Sequence, residues 1–152
     1  MKAKVEILQN QFLNRLDEMV KRAKTARAYL NRVVYAQYRD AQIERWNSEN
    51  QSEGERWKEL NPLYFVQKRR RYAAYPYSGF KTLVATGTLL KAVVGSEGRY
   101  HRKIVDDFSL EIRVTLPYAP FVNRVRPFMI FGRRTRKVIT DGMRKYMLGR
   151  RY

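Results

Sequence analysis

The chain contains no cysteine and only one histidine, His101, among its 152 residues. The missing cysteine excludes disulfide bonds, thiolate metal sites and cysteine nucleophiles. A lone histidine excludes multi-histidine metal sites and argues against histidine-based catalysis. Apolar runs are short: none reaches the roughly 18 residues that a membrane-spanning helix needs, and the N-terminus lacks the apolar core of a signal peptide. We therefore expect one globular domain, residues 1–152, made and used in the cytoplasm.

The sequence also lacks the motifs of common enzymes. Neither G-x-x-x-x-G-K-[ST] nor G-x-G-x-x-G occurs, so no phosphate-binding glycine loop is predicted. Asp106 and Asp107 are adjacent, so on a strand their side chains would point to opposite faces, and we predict a turn here rather than a metal pair. His101 lies in a strand-like Tyr-His-Arg segment and is expected to face solvent. We expect no enzymatic activity and no cofactor.

Acidic residues are scarce, with 14 Asp and Glu against 32 Lys and Arg, which gives a net charge of +18. A charge of this size concerns partners and solubility rather than the fold. Nucleic acid, acidic protein surfaces and anionic lipid are the partner classes that fit it. The imbalance is largest over residues 121–152, where ten basic residues face one acid, Asp141.

The first third of the chain predicts one long helix. Apolar residues recur at steps of three and four over residues 5–46, with no proline or glycine. At about 1.5 Å per residue this helix would span roughly 63 Å, more than the diameter of such a domain. Either the helix breaks near residues 23–28, or one end projects and needs a partner. It could lie on a sheet or serve as an oligomerisation helix. The apolar positions are Val5, Leu8, Phe12, Leu16, Met19 or Val20, Ala23, Leu30, Val33 and Val34.

Polar, turn-forming residues 47–54 end this helix. Trp57 and Leu60 are three residues apart, which predicts a short helical turn with both on one face. Asn61 and Pro62 suit the N-cap and first turn of a second helix over residues 63–72. Residues 73–81 are predicted as a loop from their Pro, Ser and Gly content.

The middle of the chain predicts an antiparallel meander of about three or four strands. Residues 82–95 turn at Thr86-Gly87 and then look strand-like over residues 89–94. A turn at residues 96–98 precedes two strands, residues 99–105 and 108–116, joined at Asp106-Asp107. In the second of these, apolar and polar residues alternate, as in a half-buried strand. Residues 134–148 predict a closing amphipathic helix, so the fold class is α+β.

The segment before the closing helix combines prolines with a basic run. Pro117 and Pro120 disfavour a strand there, and Pro127 biases Arg126 toward an extended conformation. Phe128 should then leave the turn in a defined direction and fill an apolar pocket. Arg126 could form an intersubunit salt bridge or cap its own loop.

The basic residues allow two kinds of binding. A run of four at residues 68–71 lies beside Tyr72, Tyr75 and Tyr77, which combines phosphate-neutralising charge with stacking rings. No recognised nucleic-acid-binding module occurs, however. Arg and Tyr are equally favoured at protein interfaces. The candidates for an interface or for DNA are Lys68, Arg69, Arg70, Arg71, Arg124, Arg126, Arg133, Arg134, Arg136 and Lys137.

Four segments fall in an order that resembles the tailed-bacteriophage virion morphogenesis (tail-completion, neck) family. Residues 57–61, WKELN, resemble the W-x-x-L-[SN] motif. Residues 83–89, LVATGTL, resemble I-L-x-x-T-G-x-L. Residues 118–123, YAPFVN, resemble Y-A-x-x-[HN], and residues 126–129, RPFM, resemble R-P-F-[LM]. The resemblance covers about residues 55–148, after the helical part at residues 1–47.

This resemblance implies a structural protein of the head–tail connector, in the virion at the head–tail junction or tail end and assembled in the host cytoplasm. It implies a homo-oligomeric ring that contacts acidic surfaces of other connector and tail proteins and touches passing DNA without sequence preference. The alternative is a basic nucleic-acid-binding module without enzymatic activity. The expected core and motif anchors are Trp57, Leu60, Leu83, Thr86, Gly87, Leu89, Tyr118, Ala119, Pro127 and Phe128.

Overall fold

The computed structural model describes residues 2–75, 81–96 and 98–149, with side chains from residue 11 onward. Residues 76–80 of the predicted loop, including Tyr77, and Glu97 of the predicted turn lie outside the described residues. The described part is α+β, as predicted, but its sheet has two strands rather than three or four.

The N-terminal third forms α1 (Lys2–Lys24), α2 (Ala26–Tyr29), a π-helical turn (Leu30–Val34) and α3 (Tyr35–Asn47). The predicted break falls at Thr25. Its Oγ1 donates to the carbonyl of Arg22 at 3.0 Å and so competes with the helical ladder.

The chain reverses after α3 through Glu49 and Asn50, both of which have positive φ. The predicted helical turn at residues 57–60 is wrong, because residues 56–61 form an irregular strip. The backbone N–H of Trp57 donates to the carbonyl of Glu49 at 2.9 Å, which fixes the strip against the end of α3. The next helix, α4 (Pro62–Arg71), starts as predicted, with Asn61 Oδ1 accepting from the N–H of Leu63 at 2.9 Å.

The predicted strand at residues 89–94 is also wrong, because this segment is α5 (Thr88–Val94). Gly87 and Gly95 bracket it with φ of 83° and 74°, and the second ends the helix as glycines commonly do. Ala92 and Val93 are completely buried. A short apolar run with one charged residue, Lys91, does not distinguish a strand from a helix, which is why the prediction failed.

The two described strands, β1 (His101–Val105) and β2 (Leu110–Val114), form an antiparallel hairpin in which Lys103 pairs with Ile112. The predicted turn at Asp106-Asp107 is confirmed, with the N–H of Asp106 donating to the carbonyl of Ser109 at 2.9 Å. The alternation in β2 is confirmed as well, since its apolar residues are half-buried and its charged residues exposed.

Two helices follow the hairpin. The first, α6 (Ala119–Val125), was not predicted, because its segment contains Pro120. This proline lies in the first turn, where the missing backbone N–H costs nothing. The second, α7 (Arg133–Met147), matches the predicted closing helix within one residue at each end. It crosses the N-terminal helices at Gly142, where an added Cβ would lie 2.9 Å from Tyr29 Oη.

Two apolar clusters hold these elements together. The smaller one packs Tyr29, Leu30 and Val34 against the hairpin and α7, so the N-terminal helices do lie on the sheet at this point. The larger one joins α3, α5, α6 and the loops between them. Its buried members are Tyr38, Trp46, Trp57, Val84, Leu89, Ala92, Val93, Leu116, Ala119 and Phe128.

Candidate assembly surface

The four motif segments, far apart in sequence, meet in one interlocked unit. The Trp57 indole N–H donates to the carbonyl of Pro127 at 3.1 Å. Arg126, in the fourth motif, donates back to the first motif: its Nε to the carbonyl of Lys58 at 3.0 Å and its Nη2 to that of Glu59 at 3.3 Å. The first and fourth motifs are therefore tied together in both directions, and Arg126 bonds to this other segment instead of capping its own loop.

Asn123, in the third motif, holds the fourth motif in its turn. Its Oδ1 accepts from the N–H groups of Phe128 at 2.9 Å and Met129 at 3.1 Å. Phe128 leaves this turn into the larger core and is 1% exposed, which confirms that it fills an apolar pocket. The ring packs 6.0 Å from Trp46, between ring centroids.

Arg45 holds the same turn in place, although it was not among the residues predicted from the sequence. This buried side chain on α3 donates to the carbonyls of Pro127 at 2.8 Å and Phe128 at 3.1 Å, and also to that of Ile130. Its Nε donates to Asn50 Oδ1 at 2.6 Å. Burial lowers the pKa of Arg45, and the nearby Glu53 carboxylate opposes that shift.

Glu49, which was also not predicted from the sequence, holds the backbone in place at the start of the second motif. Its carboxylate accepts from the backbone N–H of Thr82 at 2.8 Å, from Thr82 Oγ1 at 3.0 Å, and from Arg56. Burial by itself would raise the pKa of Glu49, but these hydrogen bonds outweigh it and hold the pKa below its ordinary value. Beside it, the buried Lys68 ammonium donates to the carbonyls of Lys81 and Thr82.

Glu49→Gln is expected to make the protein less stable at pH 7, by about 1–2 kcal/mol, because charged hydrogen bonds to Thr82 and Arg56 are lost. The lowered pKa of Glu49 means that its contribution is complete above the ordinary value of 4.5 and disappears as the pH falls through the folded-state pKa. Urea unfolding at a series of pH values should therefore show the wild-type advantage shrinking below that value. Glu59→Gln, at a mostly exposed side chain, is the control. An advantage that does not change with pH would contradict this role of Glu49.

The ten motif anchors divide by burial. Trp57, Leu89, Ala119 and Phe128 are buried, as expected of core residues. Leu60, Leu83 and Gly87 are half-buried, whereas Thr86, Tyr118 and Pro127 are exposed and so are not core residues. Six of the anchors instead line a single groove: Leu60, Leu83, Thr86, Gly87, Leu89 and Tyr118.

This groove, about 630 Å³ in volume, lies between α4 and α6 and is called here the α4–α6 groove. Tyr64 and Tyr72 stand on the α4 side, and Phe121 and Val125 on the α6 side. Phe121 is 75% exposed and Val125 is 66% exposed. The groove is therefore an open apolar surface built by all four motifs, since Arg126 also lines it.

Most of the predicted basic candidates lie at the surface. Lys68 is the clearest exception, because at 4% exposure it belongs to the interior. Arg126 is half-buried, and the exposed Arg134 forms an ion pair with Glu44. The other exposed candidates are Arg69, Arg70, Arg71, Arg124, Arg133, Arg136 and Lys137.

A second apolar surface lies on α1. The last turn of α1 is held by α7, where Arg22 Nη1 donates to the carbonyl of Met147 at 3.1 Å. Before that contact, apolar side chains at helical spacing remain open to solvent, the most exposed being Phe12 at 60%. The α1 stripe consists of Phe12, Leu13, Leu16 and Val20.

The prediction that His101 faces solvent is wrong. Its Nδ1 lies 2.7 Å from the carbonyl of Ala92, and its Nε2 lies 3.0 Å from Tyr35 Oη. Since the carbonyl can only accept, Nδ1 donates to it, and in a neutral ring Nε2 is then the acceptor for the tyrosine hydroxyl. His101 therefore ties the hairpin to α5 and α3.

Within the described ranges, no three His, Asp or Glu side chains cluster so as to hold a metal ion. No helix of the described residues has the length and apolar composition needed to cross a membrane. Comparisons with models of protein families, with curated proteins and with solved structures found no match to this chain. The likeness to phage neck proteins therefore rests on the motif segments themselves.

Proposed function

We propose that this chain is a structural subunit of the head–tail connector region of a tailed phage, without enzymatic activity, and that it assembles as a homo-oligomeric ring. The observation that carries the proposal is the convergence of the four motif segments into one unit with one open groove. Here Trp57 bonds to the fourth motif, and Arg126 bonds to the first.

Self-association is supported by the α1 stripe. An exposed apolar stripe on a helix is typical of a surface that another chain covers. The α4–α6 groove offers a second apolar surface on the same chain. Two surfaces suit a ring subunit, which must contact both its own copies and its neighbours along the tail axis.

Electron microscopy of the particle or assembly containing this chain tests the proposal directly. Density for a ring between portal and tail, or at the tail end, is the expected result. Light scattering after size exclusion should give a mass several times that of one chain, which is 18.2 kDa. A strict monomer that is also absent from head and tail fractions would overturn the proposal.

Phe12→Glu is expected to shift this assembly toward the monomer, because it places a charge at the most exposed apolar residue of the α1 stripe. The mass from light scattering at a series of protein concentrations would measure the shift, and we expect at least a tenfold weaker association for the loss of an aromatic contact. Asn14→Glu is the matched control, since residue 14 adds the same charge on the opposite face of α1. Equal effects of the two variants would show that charge, and not the stripe, governs assembly.

The alternative of a nucleic-acid-binding module is favoured by one observation. Arg133, Arg136 and Lys137 are exposed near the start of α7, and Arg144 and Lys145 near its end. A helix with this many exposed cations can neutralise successive phosphates without reading bases. The two functions overlap where a ring surrounds passing DNA.

A further inference from the structure

The α4–α6 groove has the properties of a docking site for a helix. Its two walls are helices, and its exposed side chains are large and apolar: Phe121, Val125 and Tyr64 are 75%, 66% and 52% exposed. Rings and branched side chains of this kind, held on rigid helices, suit the anchor residues of an amphipathic segment. Their exposure costs solubility unless something covers them.

The charge around the groove is positive on both walls. Lys68 and Tyr72 line the α4 wall, and the exposed Arg71 guanidinium lies 5.7 Å from the centroid of the Tyr72 ring. Arg126, directly after α6, lines the groove on the other side. None of the described residues that line the groove is acidic. The nearby Glu49 carboxylate is already taken by Thr82 and Arg56.

This charge selects among possible occupants. The α1 helix of a second copy carries six basic residues against three acidic ones, so it would be repelled. Nucleic acid would satisfy the arginines but leave aliphatic side chains such as Val125, Leu60 and Leu83 without a use, because these cannot stack on bases. An acidic segment with an apolar face would cover the apolar walls and also pair with the positive charges beside them.

We infer that the α4–α6 groove binds an acidic amphipathic helix of a partner protein, with apolar anchors against Phe121, Val125 and Tyr64 and carboxylates beside Arg71 and Arg126. The inference rests on the proposed function, since it names the chemistry of the neighbour that such an assembly subunit would hold.

The test uses the full chain and a fluorescein-labelled peptide with leucines on one helical face and glutamates on the other, followed by fluorescence anisotropy at physiological salt. Three probes serve for comparison: the same peptide with lysines for glutamates, the same peptide with serines for leucines, and a single-stranded oligonucleotide. Only the acidic amphipathic peptide should bind tightly. Equal binding of the serine peptide or the oligonucleotide would overturn the inference, since charge alone would then explain the affinity.

Phe121→Ser locates the binding. It should weaken the acidic peptide at least about tenfold, as expected for the loss of an aromatic anchor. Phe108→Ser is the matched control, because Phe108 is 74% exposed but lies beside the hairpin turn. Neither residue is in the core, so thermal unfolding should be unchanged in both variants. Equal affinities of the two variants would overturn the groove as the site.

The Arg71→Glu variant tests the positive charge beside the Tyr72 ring. It should weaken the acidic peptide and strengthen the lysine peptide, whereas no change in either would contradict the role given to Arg71. A chain that enters phage particles but ignores the acidic peptide would refute this inference alone. A chain that binds the peptide in the groove but is monomeric and absent from particles would instead refute the proposed function.

Discussion

Phe128→Ala is expected to destabilise the protein by about 3–5 kcal/mol, the usual cost of removing a buried phenylalanine ring from a core. The ring is 1% exposed and packs against Trp46. Its backbone is held by Asn123 and Arg45, so the surrounding structure has little freedom to collapse into the cavity. A loss of this size is a large part of the stability of a small domain.

Urea unfolding followed by tryptophan fluorescence would measure this loss, since Trp46 lies next to the deleted ring. Phe108→Ala is the control, because it removes the same ring from a site that is 74% exposed, and it should change the free energy of unfolding by no more than about 0.5 kcal/mol. If the two variants lost similar stability, Phe128 would not be the anchor that its burial indicates.

The elements that could be predicted from the sequence are those whose signals are local. Asn61-Pro62 is a helix start by its own chemistry, and the observed cap is the one expected. The alternation in residues 108–116 gave β2, because a half-buried strand shows its period directly. Phe128 could be placed in the core because Pro127 fixes the backbone before it.

The elements that could not be predicted depend on tertiary contacts. The apolar run that became α5 is short and has Lys91 as its one charged residue, so its pattern does not distinguish a helix from a strand. The strip at residues 56–61 has helical spacing in sequence, but its Trp57 N–H is used by Glu49 from another part of the chain.

The candidate site shows the same division. Charge identified the exposed arginines of α4 and α7, but it also selected Lys68, which is buried. Arg45 was not predicted because it lies on a long helix with many polar residues, and Glu49 because it lies in the polar turn after that helix. The one available signal was that positions 38, 42, 45 and 46 repeat at helical spacing, so Arg45 lies on the same face of α3 as Tyr38 and Trp46.

Arg45→Met is expected to destabilise the protein by about 3 kcal/mol. The carbonyls of Phe128 and Ile130 lose their donor, whereas that of Pro127 keeps the Trp57 indole N–H. A buried carbonyl left unsatisfied costs about 1–3 kcal/mol. Part of this cost is offset, because methionine removes a charge that was expensive to bury. Arg39→Met, at an exposed position on the same helix, is the control and should be nearly neutral in urea unfolding.

Arg45→Lys separates charge from geometry. Lysine keeps the positive charge, but its ammonium is a point charge that cannot reproduce the fork with which Arg45 reaches three carbonyls and Asn50 Oδ1. We expect the lysine variant to be nearly as unstable as the methionine variant, because it still buries a charge and leaves acceptors unpaired. A lysine variant as stable as the wild type would mean that the turn at residues 126–130 needs only a nearby cation. The observed hydrogen bonds would then not be the reason for its fixed shape.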